Sequence, residues 1–307
     1  MSKRARCTSY SLSDEEQETQ VAAVKPMRTE KNQRGVYIEH KGTQNGYLCH
    51  AMDLSFFLLY LFGGFIAGIV NTLAGNGSAI TLTLLMASGM GGLAANTTNR
   101  IGVMVQTITS VWSLPATHRK TYLLKSGLSL TLPVILGALV GAGLAATLDD
   151  KTMELWIGVL MLVLLATLLV HPDRWKSPSD RANKLPVWLR FLLFFLVGLY
   201  GGFIQMGIGL VLLAALVLVE KWSLRDGNVI KLWLAIAVVV PAFFLLLFTG
   251  TMQWGPGLTL ALGSAIGAWI SARYMVRAPY WQSTVRVVLV IALLLGAAKS
   301  FYTLWNA

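Results

Sequence analysis

A polar, glycine-rich stretch interrupts a long uncharged segment and is the first candidate for chemistry. It reads LAGNGSAITL, and its polar centre consists of Gly75, Asn76, Gly77 and Ser78. A helix that begins after these glycines would point free backbone N–H groups and a partial positive charge at the break, which favours an anion. Glycine and serine also let membrane helices approach closely, so tight packing is the alternative interpretation.

A second break is predicted in the other half of the chain. Residues 191–219 carry no charge. A single helix of that length would exceed one ~30 Å membrane crossing without sufficing for two. Two short helices that meet near QMGIG fit better, with Gln205, Gly207 and Gly209 at the break. Irregular backbone survives at membrane depth only where it is covered by protein or lines a cavity.

Two further polar groups accompany the breaks. In the first half they are Asn96, Thr97, Thr98, Asn99 and Arg100, and in the second half Asn228 and Lys231. Ionisable residues beside membrane helices tend to face cavities, so we predict that Arg100 and Lys231 approach a bound anion. Two alternatives remain open: Asn96 or Thr97 caps a helix, and the two cations snorkel to the headgroup layer.

Composition excludes several classes of protein. Of 307 residues, 55% are hydrophobic and 13% are charged. This is about half the charge of a soluble domain, which indicates a membrane protein. The net charge of +11 is concentrated at the ends of apolar segments rather than in a basic stripe with aromatics, so we expect no nucleic-acid partner.

Motifs for chemistry are missing from the sequence. No phosphate-binding loop, zinc-protease motif or metal-ligand spacing occurs, so we predict no enzyme activity, no catalytic residue, no metal and no cofactor. The acidic residues after residue 52 lie at segment ends or in loops, and no carboxylate is expected inside the bundle.

Apolar segments define the architecture. We predict an all-α polytopic membrane protein with about 8–10 transmembrane or half-membrane helices. The candidate segments are 54–74, 78–90, 96–114, 128–148, 153–170, 187–204, 207–219, 228–249, 257–274 and 284–304. Residues 1–51 are polar and predicted to be disordered, and a natural start at Met52 is a second interpretation. Residues 52–307 form the membrane domain.

The membrane domain is predicted to be a duplication of two halves, about 52–171 and 186–307. Aligning Gly75 with Gly207 also places Gly77 on Gly209, and a second alignment places LGALVGA on LGSAIGA. Basic loops fall at 115–126 and 171–190 in the first half but at 220–227 and 273–286 in the second. By the positive-inside rule the halves then have opposite orientations, and broken helices in such inverted repeats meet at a transport site near the midplane.

These motifs also resemble a known family. GGFIAGIVNTLAGNGSAITLTLLMASGM and AANTTNRIGVM resemble the first conserved block of the sulfite exporter TauE/SafE family of membrane transporters. VGLYGGFIQMGIGLVLLAALVL, NVIKLWLAIA and TGTMQWGPGLTLALGSAIGAWISAR resemble the second. The resemblance implies a polytopic transporter, with members linked to efflux of sulfite, sulfoacetate and related sulfur anions. The turn at residues 75–78, the triplet at 98–100 and Lys231 match recurrent features of the family. Family members often have a more glycine-rich turn in the second half, at the place where this chain has Gln205 and Met206.

The combined prediction is a secondary transporter that exports a small sulfur-containing oxyanion across the plasma (inner) membrane. Its partners are the anionic substrate and the lipid bilayer, and no oligomeric state is predicted. The alternatives are a membrane-embedded binding or assembly protein that transports nothing, and a channel-like anion facilitator.

Overall fold

The computed structural model describes residues 30–31, 37–38, 54–113, 128–169, 186–275 and 281–305. The chain divides into two units, Met1–Ala51 and Met52–Ala307. In the first unit, strands β1 (Glu30–Lys31) and β2 (Tyr37–Ile38) pair antiparallel, with Glu30 opposite Ile38. Apart from these four residues, the segment predicted to be disordered lies outside the described residues, and its disorder stays a prediction.

Helices account for nearly all of the described second unit. In chain order they are α1 Leu54–Ala74, α2 Gly77–Ala87, α3 Gly92–Ser113, α4 Leu128–Ala146, α5 Asp150–Leu169, α6 Val187–Phe203, α7 Ile208–Ala214, α8 Leu224–Leu247, α9 Trp254–Ile270 and α10 Trp281–Trp305. A π-helical turn, Ala215–Val219, continues α7, and another, Ser271–Met275, continues α9. Each helix coincides with one predicted apolar segment, so the all-α polytopic prediction is confirmed.

Helix lengths separate full crossings from partial ones. Within the described residues, three helical stretches are long and apolar enough to cross a membrane: Leu54–Ala74, Leu128–Ala146 and Asp226–Leu247. The helices on the far side of both breaks are shorter, at Gly77–Ala87 and Ile208–Val219. The predicted broken helices are therefore present in both halves, whereas the inverted orientation of the halves stays a prediction.

One helix begins earlier than the sequence indicates. Helix α3 starts at Gly92, so Asn96 and Thr97 lie inside it, and the alternative in which either residue caps a helix is wrong. The Asp150 carboxylate accepts a hydrogen bond from the Leu93 N–H at 2.9 Å. Because this acceptor comes from the start of α5, the local sequence does not reveal where α3 begins.

The two halves pack reciprocally through glycines. In α4, a Cβ on Gly137 or Gly141 would clash with the backbone of α6, and in α9 one on Gly263 or Gly267 would clash with the backbone of α1. The alignment of LGALVGA with LGSAIGA pairs Gly137 with Gly263 and Gly141 with Gly267. Helix α4 therefore packs closely against α6, and α9 against α1, since glycine lets membrane helices approach. The duplication itself stays a prediction.

Candidate functional site: the crossing of two broken helices

The two breaks meet. Gly75 and Gly207 both adopt left-handed backbone conformations, with φ of +82° and +71°, which glycine reaches without a steric penalty. A Cβ on Gly75 would lie 2.6 Å from the carbonyl carbon of Gly209. The two breaks therefore pack closely at Gly75 and Gly209, and this contact brings together the polar residues on either side of them. We call this region the crossing, comprising residues 75–78 and 204–209.

At the start of α2, side chains connect the two breaks. Ser78 Oγ donates to the Gln205 carbonyl at 3.1 Å, although the two residues are distant in sequence. The Gly77 N–H, one of the donors predicted to face an anion, donates instead to Asn71 Oδ1 at 3.2 Å. Sequence reasoning missed Asn71, although an asparagine near the end of an apolar helix could have indicated it.

Two amide side chains at the crossing have no hydrogen-bond partner among the described residues. Asn76 and Gln205 are 1% and 0% exposed, and both polar atoms of each are unpartnered. Asn76 Oδ1 lies 3.2 Å from the position that a Cβ on Gly207 would occupy, so it faces the second break. Buried polar groups are normally satisfied, so these two amides stand out at the crossing, where their donors and acceptors are not engaged by described residues.

The polar residues 96–100 of α3, called the α3 patch below, are all buried, but they contact different neighbouring segments. Thr97 Oγ1 hydrogen-bonds Thr251 Oγ1 at 3.1 Å, and Thr98 Oγ1 accepts from the Gln253 N–H at 3.0 Å. These contacts join α3 to the segment that precedes α9. Asn99 faces α2 instead, where its Oδ1 accepts from Thr81 Oγ1. Sequence reasoning did not single out Thr81.

Arg100 and Asn96 contact the end of α6. The guanidinium of Arg100 donates to the carbonyls of Gly201, Gly202 and Phe203, and Asn96 Nδ2 donates to the Phe203 carbonyl at 3.0 Å. Arg100 is 0% exposed, so the alternative in which it snorkels to the headgroups is wrong.

Lys231 is the second buried cation. It is 1% exposed, which excludes snorkelling here too, and its Nζ has no hydrogen-bond partner in the described part of the chain. Gly227, one turn earlier on α8, faces Leu213 and Leu216 of the α7 segment. Lys231 therefore lies on the face of α8 that packs against α7. Asn228 is only partly buried, and its Oδ1 has no described partner.

One carboxylate is more buried than expected. Glu154 lies near the start of α5 and is 7% exposed. A Cβ on Gly92 would lie 2.8 Å from the Glu154 Cγ, so Glu154 packs against the positive N-terminal end of α3. Asp150 of α5 and Lys299 of α10 both lie near enough to act on its charge, with opposite sign. Glu154 therefore lies at the end of a segment, as expected, but it is buried there against a helix terminus that only the tertiary structure reveals.

The fold and the crossing define a class of protein. Glycine-rich apolar helices, two of them broken and meeting in the interior, form a polytopic membrane protein, and irregular backbone at such a crossing is typical of transporters. The family described as Sulfite exporter TauE/SafE matches residues 60–300, and the chain belongs to it.

Individual relatives agree with this assignment. The chain is 26% identical to a probable membrane transporter of a Sinorhizobium species, over 72% of this chain and 85% of the relative. It is 25% identical to one of Haemophilus influenzae, over 78% and 92%, and 23% identical to one of Escherichia coli K12, over 78% and 88%. No solved structure matches the chain. The protein is a multi-pass transporter of the plasma membrane and not an enzyme.

Proposed function

We propose that this transporter exports a small sulfur-containing oxyanion, such as sulfite, sulfoacetate or a related organosulfonate, through the crossing. The family description names sulfite export, and the substrate class is carried to this chain on that basis. The observation that supports an anionic substrate is the state of Lys231. This residue is a buried cation with no hydrogen-bond partner in the described part of the chain.

The energetic argument concerns the buried ammonium group. Taking an ion out of water costs several kcal/mol unless a partner compensates its charge. Glu154 does not provide this compensation, because it packs on the start of α3 near Lys299. An anionic substrate near Lys231 would supply the missing opposite charge, so the site selects anions over neutral molecules.

The polar groups of the crossing suit an oxyanion with several oxygens. The amide nitrogens of Asn76 and Gln205 provide donors, and Ser78 ties the two breaks together through the Gln205 carbonyl. An unsatisfied buried polar group costs about 1–3 kcal/mol, so bound oxygens would recover a cost that the two amides bear in the described structure.

The test is flux in proteoliposomes that contain the purified full chain. Sulfite, sulfoacetate, sulfate, thiosulfate and a carboxylate of similar size are loaded singly, and efflux is measured against concentration. We expect saturable efflux of sulfite or a sulfonate and little efflux of the carboxylate. Arg273→Ala removes an exposed cation next to Trp269. It is the control for variants that remove the buried charge of Lys231, and it should leave the flux unchanged.

Each contrary result identifies an alternative. Efflux that rises linearly with concentration and does not saturate would support a channel-like facilitator. The absence of efflux for every anion, from protein shown to be folded, would support a protein that binds or assembles without transport.

A further inference from the structure

We propose that Arg100 is a positioning residue, which fixes the end of α6 and thereby the place of Gln205 at the crossing. The proposal rests on the proposed function for its transport consequences. The hydrogen bonds from Arg100 to the last carbonyls of α6, which we call the clamp, are a property of the folded chain itself. It gives Arg100 a different role from the anion contact that the sequence predicts.

The hydrogen bonds at the end of α6 form a complete set. The last four carbonyls of a helix have no partner within it. In α6, the Tyr200 carbonyl accepts from the Ile204 N–H at 2.9 Å. The next three carbonyls, those of Gly201, Gly202 and Phe203, accept from Arg100. The first half of the chain therefore caps the broken helix of the second half.

The charge of Arg100 is directed at this helix end. The C-terminus of a helix carries a partial negative charge, which a cation stabilises. Both terminal nitrogens of the guanidinium donate to carbonyls, and only Nε lacks a described partner. The planar fork that would pair with two anion oxygens is thus engaged with the backbone.

The residues that follow this helix end form the crossing. The Gln205 carbonyl accepts from Ser78 Oγ, and the Met206 carbonyl accepts from the Tyr200 hydroxyl at 2.6 Å. Gly207 then turns the chain into α7 with φ of +71°. Because only a few residues separate the clamp from this turn, a change in where α6 ends would displace Gln205.

Two side chains allow the clamp to be graded. Lysine keeps the charge of Arg100 but offers a single nitrogen, so Arg100→Lys cannot reproduce the set of bonds to successive carbonyls. Asn96→Ala removes one further donor to the Phe203 carbonyl and leaves Arg100 in place. Asn96→Ala should therefore act in the same direction with a smaller effect, and it keeps the test valid if an Arg100 variant fails to fold.

The first measurement needs no substrate. Amide hydrogen exchange of the full chain is followed at residues 204–209. We expect about tenfold faster exchange there in Arg100→Lys, since a hydrogen bond to a charged group is worth about a factor of ten or more. Asn96→Ala should give a smaller increase, and Arg273→Ala, which removes an exposed cation, none. Unchanged exchange in both Arg100→Lys and Asn96→Ala would overturn the proposal.

The second measurement is a double-mutant cycle on sulfite affinity, with Arg100→Lys and Gln205→Ala. If Arg100 acts through Gln205, Arg100→Lys should lower sulfite affinity about tenfold in the original chain. In the Gln205→Ala background the same substitution should lower it by less than about twofold. Additive losses would make Arg100 a direct ligand and overturn its positioning role. If the original chain binds no sulfur oxyanion, the proposed function fails, and the exchange measurement still decides whether the clamp exists.

Discussion

Gly75 and Gly209 meet backbone to backbone where the two broken helices cross. A Cβ on Gly209 would lie 2.5 Å from the Gly75 Cα and 2.7 Å from its carbonyl oxygen. These neighbours are main-chain atoms and cannot rotate away. The contact therefore sets how closely the two breaks approach, and with it the separation of Asn76 and Gln205.

Gly209→Ala should consequently destabilise the protein. Overpacking at a tight contact typically costs about 1–3 kcal/mol, and here it would also separate the breaks. The measurement is the thermal midpoint of detergent-purified protein, followed by size-exclusion chromatography after heating. Gly143→Ala in α4 is the control, because a Cβ there would have no neighbour within 4 Å. Equal midpoints for the two variants would contradict the contact.

The breaks themselves were predictable from the sequence, because glycines and polar residues inside an apolar segment leave a local signal at Gly75–Ser78 and Gln205–Gly209. The neighbours that the individual residues of the α3 patch contact were not predictable from the sequence. Asn96 and Arg100 face α6, whereas Thr97 and Thr98 face the segment before α9, and helical periodicity does not identify which neighbour each residue meets. The start of α3 and the burial of Glu154 depend on contacts between distant helices in the same way.

The orientation of the two halves is tested by cysteine labelling. The inverted repeat predicts that residues 249–256 lie outside the cell and residues 117–126 inside. The reason is that the loop at 117–126 is basic, whereas the loop at 249–256 is not. Single cysteines in each loop, in a chain without Cys7 and Cys49, are exposed to a membrane-impermeant thiol reagent in intact cells. Only the cysteines at 249–256 should react. Labelling of both loops from the same side would contradict the inverted arrangement.

The driving force should be the membrane potential together with the anion gradient. An inside-negative potential of about 100 mV is worth about 2.3 kcal/mol per charge and favours exit of an anion. Glu154 packs on the start of α3 near Lys299 rather than at the crossing, so Glu154→Gln should not change the potential dependence. The measurement is efflux from liposomes with imposed potassium diffusion potentials, with and without a pH gradient. Transport that requires the pH gradient, and that loses this requirement in Glu154→Gln, would show proton coupling instead.

Removal of the Lys231 charge should weaken anion binding directly. A charge-assisted hydrogen bond is worth about 1.5–3 kcal/mol, so Lys231→Met should reduce sulfite affinity about ten- to a hundredfold. Methionine fills a similar volume without the charge, and the loss of an uncompensated buried cation should leave the fold as stable or more stable. The expected result is therefore an affinity that falls while the thermal midpoint holds or rises. Arg273→Met, which removes an exposed cation, should change neither quantity. A fall in the thermal midpoint of Lys231→Met with unchanged affinity would mean that Lys231 serves the fold and that the anion site lies elsewhere.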